Sequence, residues 1–211
     1  MSETRRISIT EALCELKLYD AKISKAIRNA KYVDATKKSS SKVGVFSREN
    51  FEKNAKAGYQ SATDLIANRG KLKSAIVQSN ATTTVEIAGK QMTVAEAIER
   101  KSFIVYEESL LNELKRQYNL AADTVLKENK KVDAQIDKLL ETFTGRDTDK
   151  KPNKEDQAAI VEPYREKNEF ELVDPINIYE EIFRLESEID AFKKEVDVRL
   201  VLSNSITFIE I

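Results

Sequence analysis

Histidine and tryptophan are missing from this sequence, and a single cysteine, three prolines and five glycines are spread over its 211 residues. Without histidine the chain lacks the commonest general base and the commonest transition-metal ligand. One thiol cannot close an intrachain disulfide or build a thiolate zinc site. Few glycines and prolines argue against a turn-rich β architecture, and no glycine-rich loop of the phosphate-cradling kind is present. No apolar run is long enough to span a bilayer, and Met1-Ser-Glu-Thr-Arg-Arg6 leads into no apolar leader segment. These absences set the expectations: a soluble protein of the cytoplasm, with no membrane partner, no metal, no cofactor and no enzymatic activity.

What is present is charge and helix-forming residues. Charged residues make up 34% and hydrophobic ones 41%, a balance that suits long amphipathic helices, so the expected class is mainly α (α+β). The net charge of −1 conceals an asymmetry: residues 1–73 hold 16 Lys and Arg against 8 Asp and Glu, and residues 74–211 hold 19 against 28. Such halves are suited to attract each other within or between chains, or the basic half to meet phosphate; solvated helix faces are the plainer reading. Cys14, between Leu13 and Leu16 in an apolar-periodic segment, is expected to be buried.

The most informative pattern is a repeat. Ser79-Asn-Ala-Thr-Thr-Thr-Val-Glu-Ile87 matches Ser203-Asn-Ser-Ile-Thr-Phe-Ile-Glu-Ile211 without a gap, and both read as a helix ending at Ser-Asn with a short strand after it. At the front of each copy, Ser8-Ile-Thr-Glu-Ala-Leu13 matches Thr93-Val-Ala-Glu-Ala-Ile98, two capping boxes in which the hydroxyl and the glutamate satisfy amides left open at a helix start. Val85–Met92 is expected to be a hairpin turning at Ala88-Gly89-Lys90, with Arg5-Arg6-Ile7 as the counterpart of its second arm, giving a small antiparallel sheet of up to four strands. The return helices agree as well: Leu65 with Ile189, Leu72 with Val196, Ile76 with Leu200 and Val77 with Val201. Two diverged helix-helix-strand repeats follow, residues 1–89 with a basic insertion at 31–51 and residues 90–211 with a long helical hairpin, expected to form one compact unit of pseudo-two-fold symmetry.

Within the first copy, Ile9, Leu13, Leu16, Ile23 and Ile27 form a helical stripe interrupted by Asp20, a residue placed to pair with a lysine or mark register. The second copy runs from Val94 to Leu140 as one helix longer than ~40 residues or two in line. The charged stretch 144–157 is expected to be an exposed loop at the tip, and Pro163 and Pro175 to punctuate a second irregular stretch before a long last helix from Ile176 to Leu202.

Carboxylate chemistry would have to use Glu107-Glu108, Glu180-Glu181 or Asp20, but adjacent glutamates diverge on a helix, and solvated or ion-paired faces explain them better. The candidate binding segment is Lys31–Arg48: Lys37, Lys38, Lys42 and Arg48 have the charge for phosphates, and Phe46, or Tyr32, the ring for stacking on a base. A polar connection between helices, or a protein-contact loop with Phe46 as its anchor, fits the same residues.

In Ile9–Leu13, Ser79–Thr83 followed by Gly89–Arg100, and Asp174–Ile211, about half the chain resembles a helical family of bacterial and phage genomes sometimes labelled septicolysin-like. Lys31–Phe51 and 144–170 depart from that pattern. The run Thr93-Val-Ala-Glu-Ala-Ile-Glu-Arg-Lys101 is similar to proteins carried by phages of Gram-positive bacteria. The resemblance implies a phage or prophage origin. The resulting expectation is a non-enzymatic structural or assembly protein with protein partners or itself as a homo-oligomer. The alternatives are an inhibitor that blocks a host defence enzyme, or a nucleic-acid or charged-ligand binder using the basic N-terminal third. Membrane lysis, which the family label suggests, lacks the strongly apolar basic helix it needs.

Overall fold

The structure is a computed structural model and describes residues 5–144 and 154–211. Its elements are, in order, β1 (Arg6–Ser8), α1 (Ile9–Asn29), β2 (Lys42–Val43), β3 (Phe46–Ser47), α2 (Arg48–Thr82), β4 (Thr84–Ile87), β5 (Lys90–Thr93), α3 (Val94–Thr144), α4 (Lys154–Asn168), α5 (Ile178–Ile206) and β6 (Phe208–Glu210). The fold is mainly helical with small antiparallel ladders. The expected single sheet is instead three separate two-stranded ladders, β1–β6, β2–β3 and β4–β5.

The β1–β6 and β4–β5 ladders correspond bond for bond. Thr84 faces Thr93 and Val85 faces Met92, while Phe208 faces Ser8 and Ile209 faces Ile7. Ile211 and Arg5 exchange backbone hydrogen bonds of 2.9 and 3.0 Å, at the place that Ile87 and Lys90 hold in the other ladder. The Thr83 N–H donates to the Ser79 carbonyl at 2.8 Å and that of Thr207 to Ser203 at 2.9 Å; Val94 and Ile9 donate at 2.9 Å to the carbonyls of Thr83 and Thr207. One difference is covalent: β4 and β5 are joined through Ala88 (φ 51) and Gly89 (φ 72), the two positive-φ positions that a twist-matched two-residue hairpin turn requires. β6 and β1 come from opposite ends of the sequence.

Both helices that follow these ladders start on a full capping box. The Ser8 and Thr93 amides donate to Glu11 and Glu96 at 2.8 and 2.6 Å, and the Glu11 and Glu96 amides donate back to the Ser8 and Thr93 hydroxyls at 3.2 and 3.1 Å. The backbone bond from Ser8, then its hydroxyl, holds the Glu11 carboxyl below its ordinary range; Thr93 does the same to Glu96. A folded-state pKa below the unfolded one of about 4.3 gives a contribution that is complete at neutral pH and lost as pH falls through the folded values. The acid limb of the urea midpoint against pH is therefore expected to be shallower in Glu11→Gln, which keeps an acceptor but cannot titrate. An unchanged limb would show that this cap does not contribute to acid sensitivity.

Two compact units divide the chain, one of residues up to Ser102 with Ala191–Ile211, the other Phe103–Asp190. In the first, Ile7, Ile9, Ala12 and Leu16 pack with Leu72, Ile76 and Ile209, flanked by Tyr19 and Ala75. Their repeat equivalents Val94, Ala97, Val196 and Val85 are buried too, as are Ile87 and Phe192. Asp20 pairs with Arg69 of α2 at 2.5 Å, so the polar break in the α1 stripe joins the two helices. The stripe itself is displaced from the expected one. Ile9, Ala12 and Leu16 are inside and Leu13 and Ile27 are exposed. Cys14, expected inside, is exposed, because at two residues from Ala12 and from Leu16 it lies about 200° round the helix from both. Val77 and Val201 are likewise outside.

In the second unit α3 is met by the returning chain in antiparallel order. Lys115 pairs with Glu186 at 2.6 Å, the Tyr118 and Tyr179 rings lie 5.9 Å apart, and Asp133 pairs with Arg165 at 2.6 Å. Ile104, Leu111, Val132, Ile136, Leu185 and Ile189 are buried. The α3 run is one uninterrupted helix of 51 residues. Pro163, expected to break the chain, lies inside α4, a position that forgoes one internal hydrogen bond. The expected tip loop 144–157 falls mostly outside the described residues. α2 and α5 also run on through their Ser-Asn pairs, to Thr82 and Ile206. Thr82 and Ser205 hydroxyls donate to the Gln78 and Val201 carbonyls at 3.2 and 2.9 Å, which satisfies them within the helix.

Candidate functional site

α1 stops at Asn29, and Ala30 turns extended while its amide still donates to the Ala26 carbonyl at 3.3 Å. The chain that follows is tied to itself. Asp34 accepts from Lys31 Nζ at 2.6 Å and from the Ala35 amide at 2.9 Å, and these bonds, Lys31 first, lower its pKa. The Thr36 and Ser40 hydroxyls donate to the Lys42 carbonyl at 2.8 and 3.0 Å. Lys42–Val43 and Phe46–Ser47 then form a hairpin whose turn uses Gly44 at φ 59. Ser47 caps α2 by accepting from the Asn50 amide at 3.3 Å, and the Arg48 amide donates to the Ser41 carbonyl at 2.9 Å.

This arrangement leaves a groove of about 640 Å³ between the end of α1, the hairpin and the first turns of α2, lined by Ala26, Ala30, Val43, Phe46, Phe51 and Gly58 among others. Its charged lining is the Lys31–Asp34 pair, which neutralises itself, and Asn29, Asn54 and Ser61 supply the neutral polar groups. Tyr32 and Tyr59 meet edge to face with centroids 6.4 Å apart. Of the residues singled out in the sequence, Phe46 lines the groove; Lys37, Lys38, Lys42 and Arg48 do not line it and are exposed on the same segment. The floor is thus apolar, and the cations lie on the same segment without lining it. Ala26, Ala30, Phe51 and Gly58 carry no sequence signal of their own, since each sits on a helix or helix end and only the fold brings them together.

Gly58 is required by a close approach. A Cβ there would lie 2.9 Å from the Ala30 Cβ, whereas Gly70 in the same helix has nothing within 4 Å. Gly70→Ala is therefore expected to stabilise by about 1 kcal/mol through helix propensity alone, and Gly58→Ala to lose that gain and lower stability. Thermal melts of the two variants check the pair.

Among the described residues no group of three or more Cys, Asp or Glu side chains is placed to hold a metal ion, and no helix is long and apolar enough to cross a membrane. Of the Glu180–Glu181 pair, Glu181 accepts from Arg184 at 2.9 Å, an ion-paired helix face. Comparison with known protein families, with curated proteins and with solved structures finds no match for this chain.

Proposed function

We propose that the chain is a non-enzymatic structural or assembly protein, encoded by a phage or prophage, that works through protein–protein contacts with further copies of itself. The observation that carries this reading is the set of large apolar side chains left exposed at helical spacing. Phe103, Tyr106 and Leu110 form such a row on α3, and Val198, Val201, Leu202 and Ile206 another on α5. Single exposed apolar residues are ordinary, but rows of them mark surfaces that another protein covers. The opposite charges of the two parts of the sequence support the same reading, and the phage origin rests on the likeness of the Thr93–Lys101 run. Mass by light scattering during size exclusion, at low and high salt, is the test. A defined multimer is the expected outcome, with its loss in salt assigning the contact to charged faces; a monomer across all concentrations overturns the reading.

A further inference from the structure

We propose that the groove bordered by the β2–β3 hairpin takes up the acidic, apolar segment Glu169–Asp174 of a second copy, so that copies join head to tail. The proposal rests on the assembly reading and adds to it a contact outside the apolar rows of α3 and α5. Three valines are more exposed than any other large apolar side chain described: Val33 at 81%, Val45 at 88% and Val173 at 88%. All three lie outside the helices, two beside the groove and one in the segment between α4 and α5.

That segment is held open for contact. The Asn129 side chain brackets Phe170 from both sides, Oδ1 accepting from its amide at 2.7 Å and Nδ2 donating to its carbonyl at 2.9 Å. Asp174 accepts from the Ile178 amide at 2.8 Å and starts α5. Between these anchors the chain has no regular structure, and Phe170, Leu172 and Val173 are exposed.

Charge and shape then agree. Residues 31–58 contain seven Lys and Arg against three acids, and residues 169–181 contain five acids and no base. An apolar floor on a segment of net positive charge fits a peptide that alternates acids with large apolar residues, and Glu169-Phe-Glu-Leu-Val-Asp174 is of that kind. A nucleic acid would engage the lysines but leave Val33, Val45 and the apolar floor without a partner. The two surfaces are different patches, so the contact is heterologous and extends into a ring or a filament.

The test uses two variants of the full chain, checked for folding by circular dichroism. The groove variant carries Lys37→Glu, Lys38→Glu, Lys42→Glu and Phe46→Ser; the segment variant carries Glu171→Lys, Leu172→Ser and Val173→Ser. Wild type is expected to assemble. Each variant alone is expected to associate about tenfold more weakly or worse, and an equal mixture to form a dimer and nothing larger, because one intact groove meets one intact segment. Assembly unchanged in both variants overturns this contact and leaves the assembly reading standing. Weakened variants that stay monomeric when mixed also overturn it, and a monomeric wild type overturns both ideas. Should a variant not fold, a labelled peptide of residues 167–177 decides on wild type: saturable, salt-weakened binding upholds the contact, and no binding overturns it.

Discussion

Replacing Phe192 by alanine is expected to lower the stability of the chain by about 3–5 kcal/mol, the range for emptying a buried aromatic site. The ring is 0% exposed and is one of the largest side chains enclosed in the molecule. Its face is covered by the Arg100 guanidinium, 4.5 Å from the ring centroid, so the substitution loses both apolar burial and a cation–π contact. Around it the return of α5 toward the start of α3 is held by Lys101–Asp197 at 2.5 Å and by the Ala88 amide donating to Glu195 at 3.1 Å. Both are exposed or half-exposed contacts, worth far less than the ring. Phe183, also on α5 but 73% exposed, is the control; its alanine variant is expected to stay within about 0.5 kcal/mol of wild type. Urea unfolding of the two measures the contrast, and similar losses for both would mean that Phe192 does not organise this region.

Phe192 also shows where sequence reading reaches its end. The repeat alignment that pairs Leu72 with Val196 puts Phe192 opposite Asn68, an exposed residue, so the second copy filled with an aromatic ring a place the first left polar. Matching positions conveyed what the copies share: the capping boxes and a hairpin near Ala88-Gly89 were legible because each depends on bonds between near neighbours. Divergence is invisible to the same method. Cys14 and Leu13 illustrate a second limit, since an apolar stripe is a broad arc, and only the position of α2 decides that Ala12 rather than Leu13 faces it. Pro163 illustrates a third: its ring disfavours a helix, but contacts such as Arg165 with Asp133 lie beyond what a local rule contains.

The candidate site was legible in its segment and not in its form. Charge drew attention to Lys37, Lys38, Lys42 and Arg48, and aromatic character to Phe46. The groove depends on the end of α1 at Asn29 bringing Ala30 against Gly58, a contact between residues far apart in sequence, with Ala26 lining the same groove. The Glu169–Asp174 segment read as irregular, which it is. Its openness depends on Asn129, a residue with no pattern to mark it forty-one positions away.

Deleting residues 207–211 is expected to be the most damaging short truncation, and re-joining the chain in a different order to be nearly harmless. β6 supplies Ile209 to the cluster that contains Ile7, Ile9 and Leu72. It also supplies the Thr207 carbonyl that receives the Ile9 amide at 2.9 Å and the Ile211 groups that pair with Arg5. Loss of a buried isoleucine alone costs about 2–5 kcal/mol, and several backbone bonds at about 1 kcal/mol each are lost with it, a sum comparable with the whole stability of many domains. The ladder that holds these residues is the counterpart of β4–β5, where Ala88-Gly89 joins Ile87 to Lys90. A circular permutant that links Ile211 to Arg5 through Ala-Gly, omits residues 1–4 and opens the chain between Ala88 and Gly89 exchanges one covalent turn for the other. The Ala88 amide keeps its bond to Glu195. The permutant is expected to give the wild-type circular dichroism spectrum and a urea midpoint close to wild type, while the truncated chain loses cooperative unfolding. A permutant that fails to fold would mean that the two ladders, alike bond for bond, are not interchangeable as closures of the fold.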